Sequence, residues 1–163
     1  MPNDEQPFWK TKKLSQMTKA EWESLCDGCG KCCLNKLIDT DTGELFFTNV
    51  ACRLLDTRSC QCTRYKDRHK HVKDCIPLTP RNVKKLRWLP DTCAYRLVAN
   101  GQDLPEWHYL KCGDRREVHR VGASARGRII SEKAAGELED HLVDWVVGKQ
   151  KSEVGSRKRA KRI

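Results

Sequence analysis

The chain contains no long hydrophobic run. Nowhere in its 163 residues do roughly eighteen apolar side chains follow one another, which excludes a membrane-spanning helix. The first residues, MPNDEQPFWKTKKLSQ, lack the apolar centre of a secretory signal, and the expected location is the cytoplasm. Also missing are a nucleophile elbow, a phosphate loop, an HExxH helix and a dinucleotide fingerprint. With no recognisable catalytic motif, the chain is not expected to be an enzyme by itself. Its five histidines are scattered, so a histidine-rich metal site is not indicated, and His108 beside Trp107 reads as a packing or hydrogen-bonding residue.

Cysteine, by contrast, is abundant, with ten in the chain. A chain of this length can bury a core without covalent staples, and a reducing compartment disfavours disulfides, so clustered cysteines there point to metal ligation or redox chemistry. The density peaks in CDGCGKCC, where Cys26, Cys29 and Cys32 recur every third residue and Cys33 follows directly. That spacing lets a loop curl around one centre, while Gly28 and Gly30 allow backbone angles that other residues resist. Lys31 and the loop amides are expected to favour thiolate over thiol. Cys33, adjacent to Cys32, projects elsewhere and is free to reach a second centre. The first three cysteines match the ferredoxin run C-x-x-C-x-x-C, but a fourth Cys-Pro three residues on is missing, which disfavours a standard two-cluster ferredoxin. Thiolate-rich sites select zinc or iron-sulfur clusters over hard ions.

Net charge is +10, and the part from Gly148 onward carries seven basic residues against Glu153 alone. The organisation read from this is a cysteine-rich domain over 1–147 and a basic tail without structure over 148–163. The tail is a solvated extension with weak nucleic-acid contact as its alternative use.

Local signals give an α+β fold, a compact metal-stabilised single domain of mostly short helices with one small β-hairpin. Thr18 to Glu21 is a capping box that starts a short helix leading into Cys26. Residues 37–50, turning at Asp41 to Gly43, predict a hairpin. Thr79-Pro80 predicts a helix through Val83 and Leu86 that Pro90 ends, and Asp91 is expected to cap another carrying Cys93, Tyr95, Leu97 and Val98 to Gly101. A last helix is predicted from Ser131 through Leu138, Leu142, Trp145 and Val146.

These residues together resemble the CxxCxxCC, or YkgJ-type, family, to which zinc or iron chelation is ascribed, and within it the YcgN-type bacterial branch. The matching stretches are CDGCGKCC at 26–33, Cys52-Arg-Leu-Leu-Asp56, Cys62-x-x-Tyr65-x-x-Arg68, Cys75, WLPDTCAYRL at 88–97 and LPEWH at 104–108. The resemblance implies metal ligation by Cys26, Cys29, Cys32 and Cys33, with Cys52, Cys62 and Cys75 as the next ligands. Cys60 and Cys93 lie in matching stretches and rank below these, whereas Cys112 has no counterpart. Tyr109 departs from the proline expected after Trp107-His108. The expected function is that of an iron-sulfur or iron-chelating protein with an electron-transfer or redox-sensing role and an unidentified redox or protein partner. The alternative is a structural zinc-binding module whose tail contacts nucleic acid or an acidic partner.

Overall fold

The computed structural model describes residues 5–146 and the backbone of 160–162. The architecture is α+β, with short helices around a small sheet. Phe8–Thr11 forms α1 and Lys19–Ser24 forms α2, whose capping box is present as the sequence predicts: Thr18 Oγ1 accepts the Glu21 N–H at 3.1 Å, and Glu21 accepts the Thr18 N–H at 2.9 Å. These two bonds satisfy otherwise orphaned donors of the first turn.

The predicted hairpin is formed by β1, Leu34–Asp39, and β2, Leu45–Ala51, which pair antiparallel with Lys36 opposite Phe47 and Ile38 opposite Leu45. Asp39 Oδ1 closes the turn by accepting the N–H groups of Asp41 and Thr42, and Gly43 takes a positive φ of 74°. β3, Ile130–Ser131, and β4, Leu142–Val143, add short pairings along β2. Ala160–Arg162 forms β5 on the other side of β1. The rest of the basic tail lies outside the described residues.

Two predicted helices are replaced by other structure. After Thr79, the side chains of Thr79 and Asn82 exchange bonds with each other's backbone N–H, and only a 3-10 turn follows at Val83–Lys85. This is the reciprocal capping pattern also seen at Thr18 and Glu21, and the turn it starts ends at Leu86, whose ψ of 84° leaves the helical region. From Ser131, which does cap as expected, α7 runs only over Glu132–Ala135. Gly136 then adopts φ 74°, ψ −133°, a conformation that halts the helix. A 3-10 turn over Leu138–His141 leads into β4. The apolar residues on the predicted stripe still serve the core, since Val146 is fully buried beside Leu34 and Phe47. Between these segments come α3 (Arg68–His71), α4 (Ala94–Ala99), α5 (Tyr109–Cys112) and α6 (Glu117–Arg120). α4 is the expected helix, but its N-cap is Cys93 and not Asp91.

The apolar interior has two parts. One joins α2 and α4 through Trp22, Leu25, Ala94, Tyr95 and Val98; the other lies on the hairpin around Leu34, Phe47, Ala51 and Leu55. Trp88 packs against both. No helix among the described residues is long and apolar enough to cross a membrane.

Candidate metal centre

A cavity of about 740 Å³ opens between the two cores. Eight cysteines line it: Cys26, Cys29, Cys32, Cys33, Cys52, Cys62, Cys75 and Cys93. All seven residues singled out as ligands therefore face one space, and Cys93 joins them. Cys60 and Cys112 do not line the cavity. As placed, no three Cys, His, Asp or Glu side chains among the described residues stand close enough to hold one ion. The sulfurs surround the cavity instead of meeting at a point.

Each element brings its thiol by an identifiable route. α2 ends at Leu25, whose carbonyl meets His108 Nε2 at 2.9 Å, while His108 Nδ1 accepts the Leu110 N–H at 3.1 Å. This pairing assigns the ring proton to Nε2, so the fully buried His108 donates to Leu25 and anchors the chain one residue before Cys26. Tyr109, the departure from the expected pattern, donates its hydroxyl proton to the Ser24 carbonyl. The loop then turns through Gly28 and Gly30, with φ of 77° and 75°. Ala125 N–H bonds the Cys29 carbonyl at 2.8 Å, tying the loop to the far side of the fold.

Cys60 has a different role from the lining thiols. It is buried with φ 58°, and a Cβ placed on Gly30 would come within 3.0 Å of Cys60 Cβ. Gly30 is required there both by its backbone angle and by this neighbour.

Backbone N–H groups just downstream favour the thiolate at several sulfurs: Gly28 at Cys26, Lys31 at Cys29, Leu54 at Cys52, and Arg96 and Tyr95 at Cys93. Bonds of this kind stabilise thiolate and tune a metal held by it. The loop amides thus act as the sequence suggests. Lys31 contributes through its backbone, while two cations face the thiols: Arg68 beside Cys75 and the unforeseen, buried Lys36. Its ammonium, 6% exposed as a residue, donates to the carbonyls of Cys32 and Leu34 at 3.0 and 2.8 Å and lies 4.4 Å from the centre of the Trp88 ring.

The thiols are not equivalent in acidity. A hydrogen bond from Cys33, with help from Lys36, draws Cys32 down to about 7, and the same bond together with burial pushes Cys33 well up. Burial raises Cys29, and it pushes Cys93 up to about 12. Cys26 is held up by the surrounding protein and by the charges of Cys32 and Asp27, although its exposed position tempers the first effect. Asp27 is a second group that spacing did not reveal. Its Oδ1 accepts the Cys29 N–H at 2.9 Å, while Oδ2 is buried without a hydrogen-bond partner among the described residues, and burial raises the carboxyl. A buried anion beside thiols favours their neutral form until a cation arrives.

The donor set fits a soft metal: eight thiols on one cavity and an orphaned carboxylate oxygen all gain from a bound cation. Arg68 beside Cys75, and Lys36, whose burial favours the neutral amine while neighbouring thiolates favour the ammonium, offset part of the negative charge that several thiolates would accumulate.

Residues 25–94 match the profile of the CxxCxxCC family, described as "Putative zinc- or iron-chelating domain". A UPF0260 protein of Granulibacter bethesdensis is 61% identical over 139 residues, covering 85% of this chain and 84% of its own length. One from Gluconobacter oxydans is 59% identical with 85% of each chain covered, and one from Rhizobium etli is 53% identical over 92% of this chain and 98% of its own. No solved structure matches. On these similarities the chain belongs to the UPF0260 family, and its cysteine cluster lies within the stretch that matches the CxxCxxCC profile.

Proposed function

We propose that the chain is a cytoplasmic iron protein of the YcgN-type branch, holding iron on its clustered thiolates as an iron-sulfur centre and using it to pass electrons or to sense redox state. The observation that carries this reading is the placement of Cys26, Cys29, Cys32, Cys33, Cys52, Cys62 and Cys75 around one cavity. When bound, iron in such a site supplies one-electron chemistry, with a potential set by hydrogen bonds to sulfur and by nearby charge. The chain's own contribution is to supply the thiolates, to donate N–H groups to them and to keep Lys36 beside them. The cavity lining is largely apolar, with Trp22, Leu34, Leu55 and Tyr95 in its wall, which limits water near the site.

The absence of a recognisable catalytic motif favours a carrier or sensor over an enzyme. Tyr65 and Ile76 are exposed on the cavity lining, where a redox or protein partner would approach.

The test is metal and acid-labile sulfide analysis of protein purified without oxygen, together with its visible spectrum. Iron with matching sulfide and broad visible absorption supports the reading. Colourless protein containing zinc replaces it with a structural site, because a zinc ion closed by four thiolates has no open position and no redox chemistry.

A further inference from the structure

We propose that the eight cavity cysteines form two four-thiolate centres, one from Cys26, Cys29, Cys32 and Cys93 and the other from Cys33, Cys52, Cys62 and Cys75. This division rests on the metal-binding reading above and deepens it, adding Cys93 as a ligand and separating the neighbours Cys32 and Cys33.

The backbone builds the two sets independently. For the first, the Trp22 and Tyr95 rings lie 4.6 Å apart and the Tyr95 hydroxyl reaches the Glu23 carbonyl at 3.5 Å. α2 and α4 are thereby packed side by side, with Cys26 just past the end of one and Cys93 at the start of the other. Cys93 is an electrostatic neighbour of both Cys26 and Cys32, and Cys29 of the same two.

For the second, the Cys33 carbonyl accepts the Cys52 N–H at 2.9 Å. The chain then folds back so that Leu55 bridges Cys62 and the Thr63 N–H bonds the Leu54 carbonyl at 2.7 Å. Arg53 donates to the His71 carbonyl, which draws in the segment carrying Cys75. Cys52 neighbours Cys33, Cys62 and Cys75 electrostatically, and Lys36 faces Cys33, Cys52 and Cys75 as well as Cys32.

The sets meet at Cys32, which bonds to Cys33 and also neighbours Cys75. A single ion cannot take eight sulfurs, since four-thiolate sites are tetrahedral, and two such sites use every thiol on the cavity. As each metal–sulfur bond forms, the thiol's proton passes to solvent.

Cobalt(II) titration of the metal-free full chain tests this, because four-sulfur cobalt has its own visible spectrum. Saturation at two cobalt ions per chain with that spectrum is expected, falling to one in Cys93→Ser and one in Cys75→Ser. A wild-type chain that saturates at one, or Cys93→Ser that still takes two four-sulfur ions, overturns the division. Should either variant fail to fold, alkylation of the partly loaded wild-type chain gives the same answer, with intact mass counting the protected thiols and peptide mapping identifying them. Chains protected in blocks of four thiols support two centres, and blocks that mix the sets overturn them. Native zinc with two cobalt sites sinks the redox reading alone, and native iron and sulfide with one cobalt site sinks the division alone.

Discussion

The carbonyl of Cys33 accepts the backbone N–H of Cys52 at 2.9 Å. Through this bond the end of β2 returns to the start of β1 with a thiol at each side, so the hairpin itself delivers Cys52 to the CDGCGKCC loop. Backbone pairing thus places both thiols on the wall of the one cavity. Because binding closes the site, metal affinity and stability are linked.

Ligand roles separate by substitution. Cys29→Ser is expected to release metal and to lower the thermal midpoint of the as-purified protein, because lost binding energy is lost folding energy. Cys112→Ser, at an exposed thiol outside the cavity, is expected to retain the full metal content. Elemental analysis of the two variants beside the wild type decides the matter, and metal loss from Cys112→Ser would contradict the cavity assignment.

The loop glycines differ in what surrounds them. Gly28→Ala meets nothing within 4 Å and suffers only from its positive φ, whereas Gly30→Ala also meets Cys60 Cβ at 3.0 Å. The expected cost is about 1 kcal/mol at Gly28 and roughly 2–4 kcal/mol at Gly30, read from urea unfolding. Equal losses at the two positions would show that Cys60 yields freely.

Lys36→Met keeps the length of the side chain but removes its ammonium, which lies over the Trp88 ring. Metal affinity is expected to fall by about 10–100-fold, the range for losing a group that supports a metal site, as measured by chelator competition. An unchanged affinity would mean that the thiolate charge is balanced elsewhere.

His108→Ala leaves the Leu25 carbonyl without its buried donor and opens a void beside α2. A loss of about 3 kcal/mol is expected in chemical unfolding. Metal content should fall with it, since the anchor sits one residue before Cys26.

The N-terminus responds to acid through Asp103. Trp9 Nε1 donates to its carboxylate at 3.0 Å, and Lys10 and Lys111 pair with it, holding the carboxyl below the usual range. A depressed native value means the contribution is complete above the usual carboxylate range and is lost as pH falls through the native value. Tryptophan fluorescence should report release of α1 under strongly acidic conditions, and Asp103→Asn should show a weaker α1 contact already at neutral pH.

Much of the scaffold was legible where the signal was local. Thr18 and Glu21 announce α2 through reciprocal capping, and the turn at Asp41 to Gly43 announces the hairpin. The reading failed where a backbone angle overrode periodicity. Leu86 leaves helical angles one turn after the Thr79–Asn82 cap, and Gly136 ends α7 after a single turn although the apolar spacing continues to Val146. The cysteine loop was evident from its spacing, but the place of Cys93 was not, because it depends on Trp22 packing at a tilt against Tyr95, far away in the chain. Lys36 and Asp27 escaped notice for a similar reason: in the sequence they are ordinary charged residues, and only the fold buries them among thiols.

The most direct test of the central claim is X-ray absorption at the K edge of whichever metal accompanies protein purified without oxygen. The account predicts a shell of sulfur at about 2.3 Å, with further iron scatterers if the centre is a cluster. A shell made only of oxygen and nitrogen would contradict it.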